Sequence, residues 1–217
     1  MNYVFNWSVI EKNIGAMIEA LGFGLFMAVI AITAGSIIGL LLAFLAVSKS
    51  KTAKTGVQVF VTIFRNTPIL ILIFIVYFGL PTIGLTISKV PSFVVTLALY
   101  SSAYMEEVFR AGLEAIPKGI IEAGQAIGLT RWTIRVKIEL PIMFKKVLPS
   151  MGNYLISLFK DTSIASSITV GELTYLSKCL TTQTFRVFEI WLTTGALYVV
   201  ACYLIAFLLR RVEKRFV

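Results

Sequence analysis

Glu122-Ala-Gly-Gln-Ala-Ile-Gly128, followed after nine residues by Ile138-Glu-Leu-Pro141, is a charged stretch between two long apolar ones. Pro117 can open a short helix in the first turn, where a missing N–H costs nothing. Ile121, Ala123, Ala126 and Ile127 are small or apolar, flanked by Glu122 and Gln125, and Gly128 permits a sharp turn. A second helix from Arg131 to Ile138 then runs up to Leu140-Pro141 and returns toward the apolar phase. A small-residue helix can sit close in a groove of another protein, and Glu122 offers an acceptor to an Arg or a backbone N–H. An ordinary pair of interfacial helices is the plainer alternative.

The composition around this stretch excludes a soluble domain. Of 217 residues, 58% are apolar and only 14% charged, with a mean hydropathy of +0.88. So little polar surface cannot coat a globule, whereas acyl chains solvate long uncharged runs. The net charge of +9 would suggest nucleic acid in a soluble protein. Here the basic residues cluster at the ends of apolar runs, which is membrane topology rather than nucleic-acid binding. The chain has no histidine, and its two cysteines, Cys179 and Cys202, form no CxxC pair. Metal chemistry and Ser-His catalysis are therefore unsupported, and no catalytic or metal-ligating residue is assigned.

Five apolar segments fall at roughly 20–47, 57–80, 90–110, 147–170 and 188–209. Each reaches the ~20 residues needed to cross about 30 Å of hydrocarbon at 1.5 Å per residue. None alternates with period two, so helices rather than barrel strands are expected. The sequence thus predicts an all-α membrane protein with five transmembrane helices. Residues 1–19, with Ile10, Ile14, Met17 and Ile18 at helical spacing, read as an amphipathic interfacial segment ahead of a membrane domain spanning 20–217. A cleaved signal peptide fits poorly, because the first apolar run is too long and lacks a basic start.

Lys and Arg set the orientation. Thirteen of them fall on one side: Lys49, Lys51 and Lys54; Lys118, Arg131, Arg135, Lys137, Lys145 and Lys146; Arg210, Arg211, Lys214 and Arg215. Lys12, Lys89, Lys178 and Arg186 fall on the other. The positive-inside rule puts the N-terminus outside, the C-terminus in the cytoplasm and the connection at about 111–146 on the cytoplasmic side.

Ionisable groups inside spans cost about 2.5–3.5 kcal/mol each on insertion scales, so each needs a reason. Arg65-Asn66-Thr67-Pro68 interrupts the second segment; either Arg65 snorkels to the cytoplasmic face or the break lines a translocation path. Glu107 and Arg110 can pair at i, i+3, while Glu106 points about 100° away and can face a polar cavity. Lys160-Asp161-Thr162-Ser163 is expected mid-way along the fourth span, as an ion pair or as part of a wet pathway. Gly35 and Gly39 have the GxxxG spacing of close helix packing.

The spacing from Glu122 to Pro141 resembles the EAA loop of ABC importer permeases, with Gly124 standing where the motif has Ala. Further stretches resemble permeases of polar amino acid importers: Arg65-Asn-Thr-Pro68, Tyr77-Phe-Gly-Leu-Pro81, Ala103-Tyr104 with Glu107-Val-Phe-Arg110, Ile116-Pro-Lys-Gly119, and Lys160-Asp-Thr-Ser163 followed by Glu172-Leu173. They cover roughly residues 57–175, and Glu106 departs from the usual small residue. The resemblance implies a type I importer fold with a cytoplasmic coupling helix pair, in a bacterial cytoplasmic membrane. It implies two ATPase subunits inside, a second permease subunit, identical or paralogous, and a substrate-binding protein outside. Glu122, Ala123, Gly124, Ala126, Gly128 and Leu129 would couple to the ATPase. Lys160, Asp161, Thr162 and Ser163, with Glu106, Glu107 and Arg65, would line the substrate path. No cofactor is expected on this chain; ATP and Mg belong to the ATPase. A permease for another small solute, an ATPase-independent channel and a secondary transporter are the competing readings.

Overall fold

The computed structural model describes the backbone of residues 3–216 and side chains through Lys214. Met1, Asn2 and Val217, and the Arg215 side chain counted above with the cytoplasmic tail, lie outside it. Among the described residues the chain is all-helical, without a strand. The long helices are α1 (Ser8–Ala46), α2 (Lys51–Asn66), α4 (Lys89–Glu114), α7 (Leu140–Asp161) and α9 (Val187–Phe216). Shorter pieces join them: α3 (Ile69–Phe74), α5 (Lys118–Ala126), α6 (Arg131–Ile134) and α8 (Leu173–Thr184).

The predicted N-terminal segment is not a separate helix. Residues 8–19 are the opening turns of the 39-residue α1, which at 1.5 Å per residue is about 58 Å long. They stay helical because Met17 and Ala20 are buried against Leu173 and Leu180 of α8 and Ile190 of α9. Further along, α1 lies on α4 through its small residues: Ala28, Ala31, Gly35, Gly39 and Ala43 are all buried. Phe93, Leu97, Met105 and Phe109 of α4 and Met143, Val147 and Leu158 of α7 complete the core.

The second predicted span is bent. α2 ends at Asn66, Thr67 is extended, and the chain resumes at Ile69 after a turn of 103°. Pro68 explains the break, since it disfavours helical geometry in the residue before it. By length and apolarity α1 and α9 can each cross a membrane, and this bent pair is a third candidate. α4 and α7 are long enough, at 26 and 22 residues, but charged: Glu106, Glu107, Arg110 and Glu114 on one, Lys145, Lys146, Lys160 and Asp161 on the other.

The fourth span also differs from expectation. α6 continues through a π-helical turn, Arg135–Glu139, directly into α7. Pro141 lacks an N–H and its ring would crowd the carbonyl four residues back, and the widened turn absorbs both. α7 ends at Asp161 and tightens into a 3-10 stretch, Thr162–Ile168. Lys160 and Asp161 therefore sit at the end of a helix, not at its middle.

Candidate functional site

The Glu122–Gly128 stretch forms a capped, outward-facing helix. α5 starts at Lys118 with Pro117 as its cap. At its end Gly128 has φ 81°, a left-handed conformation that favours glycine. The Leu129 N–H donates to Gly124 O (3.1 Å) and the Gly128 N–H to Gln125 O (3.0 Å), the two bonds of a Schellman cap. Glu122, Ala123, Ala126 and Gly128 are exposed, and Leu129 is half-buried. Gly124 alone is buried: a Cβ there would stand 3.2 Å from Ile138 Cδ1 and 3.3 Å from Ile134 Cγ1. The position where the motif has Ala is thus packed against two isoleucines of the following helix.

Two exposed apolar side chains join this surface, Ile127 (76% exposed) and Trp132 (73%). Large apolar groups left uncovered mark contact surfaces when they cluster. Trp132 lies between the two blocks that carry the resemblance, and its signal in the sequence is an aromatic amid Arg131, Arg135 and Lys137. Behind the loop, the Arg135 guanidinium lies 5.2 Å from the Phe44 ring centroid at the end of α1, and Lys146 Nζ donates to Ala115 O at 2.5 Å. The loop is tied to both α1 and α4.

The polar residues of α2 and α4 form one ionic cluster. Arg65 pairs with Glu107 and stacks over Tyr104, 5.3 Å from its ring centroid. The Tyr100 and Tyr104 hydroxyls are 3.0 Å apart, and Tyr104 packs on Tyr154 of α7 at 5.5 Å. Arg110 is shared by three carboxylates: Glu114 (3.2 Å), Glu106 (3.4 Å) and Glu107 (3.9 Å). Arg65 of α2 thus reaches Glu107 of α4, a long-range pair not anticipated in the sequence. Glu106 and Glu107 diverge: Glu107 turns to Arg65, while the backbone at Glu106 lies against Gly39 of α1, where a Cβ would come 2.9 Å from Glu106 N.

Lys160 and Asp161 are not brought together as an ion pair; among the described residues neither has an ionic partner within 4.0 Å. Lys160 is exposed and Asp161 half-buried. Neighbours on a helix point about 100° apart, which separates them. Thr162 is buried, its hydroxyl donating to Phe159 O at 2.7 Å, and Ser163 is half-buried. The Arg65, Tyr100, Tyr104 and Glu107 group is the polar concentration between α4 and its neighbours.

Two buried acids hold the other end of the molecule. Glu172 is fully buried and caps α8, accepting the Thr174 and Tyr175 N–H groups at 2.8 Å and the Tyr198 hydroxyl at 3.0 Å. Glu189 is also fully buried; it accepts the Asn6 N–H at 2.8 Å and the Tyr3 hydroxyl. Arg186 adds a bond to Val4 O at 2.9 Å, so residues 3–6 are strapped across the start of α9. The Tyr3 phenol is held above its ordinary pKa, first by its bond to the Glu189 carboxylate.

Comparison with known proteins agrees with this architecture. Residues 31–217 match the family of binding-protein-dependent transport system inner membrane components. The chain is 37% identical over 214 residues to the glutamine transport system permease protein GlnP of Escherichia coli (strain K12), covering 97% of each. It is 30% identical over 214 residues to the probable amino-acid ABC transporter permease protein YckA of Bacillus subtilis (strain 168), covering 99% of this chain and 95% of that one. Among solved structures, a chain of an amino acid ABC transporter crystallised with histidines superposes with a TM-score of 0.89 at 30% identity, covering 98% of this chain and 100% of that one. A chain of the inward-facing MetNI methionine transporter shares the fold at TM-score 0.82 and 23% identity, covering 95% and 99%. The chain belongs to the family of binding-protein-dependent transport system inner membrane components, the permeases of ABC importers, and has their type I fold.

Proposed function

We propose that this chain is the membrane subunit of an ATP-driven importer that carries a polar amino acid into the bacterial cytoplasm. The exposed, Schellman-capped α5 is the observation that carries the reading. A short helix presenting Glu122, Ala123, Ala126 and Ile127, with Trp132 beside it, suits insertion into a groove of a cytoplasmic ATPase. Two such ATPases, a second permease subunit and an external substrate-binding protein complete the assembly. ATP and Mg are held by the ATPase, which performs the hydrolysis. In this reading the membrane is crossed five times, by α1, the bent α2–α3 pair, α4, α7 and α9, with the N-terminus outside and the C-terminus inside.

A free amino acid needs a cationic partner for its carboxylate and an anionic one for its ammonium. Arg65 and Asp161 fill those roles here in place of the Lys160–Asp161 pair. The guanidinium fork suits a carboxylate, and Glu107 is the internal anion that the substrate would displace from it. The names of the relatives support glutamine as the first cargo to test. Lys160, Thr162 and Ser163 are left at the margin of the path. Alternating access follows from movement of α5, transmitted through Arg135–Phe44 to α1 and through Lys146–Ala115 to α4.

Co-purification tests the docking surface. Glu122→Lys and Ile127→Asp should each abolish recovery of the ATPase with the permease while leaving permease yield intact. Full ATPase recovery with both variants would overturn this assignment of the loop.

A further inference from the structure

A groove along the flank of the molecule belongs neither to the docking helix nor to the proposed path. Its apolar part is a cavity of about 440 Å³ between α1, α7 and α9, walled by Val29, Ile32, Ile37, Leu155, Phe159 and Ile205. A second cavity, of about 200 Å³ between α7 and α9, shares the walls Met151, Leu155 and Leu209 with the first and ends on Arg210 and Glu213. The two form one groove with an apolar end and a charged end. Away from the charges its walls climb α7, from Leu148 to Phe159, as they descend α9, from Glu213 to Ile205. At 1.5 Å per residue the α7 wall is about 16 Å long, close to half of the roughly 30 Å hydrocarbon core. That is the depth of one acyl chain in one leaflet.

The charged end holds one cation and one anion. Arg210 is exposed and Glu213 half-buried, and neither has an ionic partner within 4.0 Å among the described residues. Their i, i+3 register on α9 sets the two Cβ atoms about 5–6 Å apart. The neighbouring basic groups are turned elsewhere: Arg211 lies over the Phe207 ring, 4.4 Å from its centroid, and with Lys214 lines a separate cavity. An anion alone would meet Glu213, and a cation alone would meet Arg210. A lipid headgroup with a phosphate and an ammonium two carbons apart suits the register, and its acyl chain suits the apolar end. Phosphatidylglycerol has no ammonium, and the ammonium of phosphatidylcholine has no N–H to give a carboxylate. We propose that the groove binds one phosphatidylethanolamine molecule, with its phosphate on Arg210, its ammonium on Glu213 and one acyl chain between α1, α7 and α9. Which leaflet supplies it, the cytoplasmic one, rests on the proposed topology; the site itself rests on the groove.

Native mass spectrometry of the delipidated permease–ATPase complex, incubated with equimolar lipids of matched acyl chains, tests this without reference to transport. The first lipid retained per permease chain should be phosphatidylethanolamine, at least fivefold over phosphatidylglycerol and over phosphatidylcholine. Glu213→Gln, which keeps the shape and removes the charge, should bring that preference below twofold. Arg210→Gln should lower retention of all three lipids at least threefold. Thr33→Trp, on the α1 wall of the groove, should do the same by filling the apolar end while leaving both charges in place. Equal retention of the three lipids by the wild-type complex, or a preference that survives Glu213→Gln, overturns the proposal. Retention unaffected by Thr33→Trp overturns it too, because the headgroup would then be held without the groove. Selective retention in a complex that shows no ATP-driven uptake would uphold the lipid site while removing the transport reading.

Discussion

Gly39→Ala is the sharpest test of how the molecule is packed. A Cβ at position 39 would stand 2.7 Å from Met105 Cβ, 2.8 Å from Ser102 O and 2.9 Å from Glu106 N. Two of these are backbone atoms of α4, which no rotamer change can move. Restoring ordinary contact requires α1 and α4 to separate by roughly half an ångström along their seam, in an interior that is close-packed. Overpacking of this kind costs about 1–3 kcal/mol, against at most about 1 kcal/mol gained by replacing glycine with alanine inside a helix. The same substitution at Gly15, in the same helix but with nothing within 4 Å of its Cβ, keeps the gain without the clash. Denaturant unfolding in mixed micelles, following α-helical signal, should therefore rank Gly15→Ala above wild type and wild type above Gly39→Ala. The separation between the two variants should be about 2 kcal/mol. Equal stability of the two would refute the argument that small residues set the α1–α4 distance.

Gly124→Ala restores the motif residue, and its new Cβ meets only flexible side-chain ends, so stability should change by less than about 1 kcal/mol and ATPase recovery should persist. Gly124→Leu should instead force α5 off Ile134 and Ile138, costing about 1–3 kcal/mol and at least halving ATPase recovery in the same pull-down. Glu172→Ala removes the cap of α8 and leaves the buried Tyr198 hydroxyl with Thr174 alone; unfolding should show a loss of about 1–3 kcal/mol. Arg65→Ala should cut glutamine uptake at least tenfold while ATPase recovery is unchanged; unchanged uptake would remove Arg65 from the path.

The parts of the fold legible in the sequence are those set by local physics. Long apolar runs specified α1 and α9, Gly128 announced a left-handed turn, and Pro68 marked a break. The direction of that break was not legible, because α2 and α3 each pack on α4, which lies further along the chain. Residues 8–19 looked like a separate segment because their partners, α8 and the start of α9, lie more than 150 residues away. Lys160 and Asp161 looked like a pair because adjacency in sequence suggests it, while neighbours on a helix point about 100° apart. Glu189 is silent in sequence and Glu172 enters only through the resemblance: a buried acid's capping role is recognisable only once its donors are in place.

In the proposed mechanism this chain moves solute only when an ATPase docks on α5. The most direct measurement of this is uptake of labelled glutamine into proteoliposomes holding the permease, with receptor outside and ATP inside, with and without the ATPase subunit. Uptake should occur with the ATPase and not without it, and not with the ATPase when Glu122→Lys is present. Uptake by the permease alone, or undiminished uptake by Glu122→Lys, would contradict this mechanism.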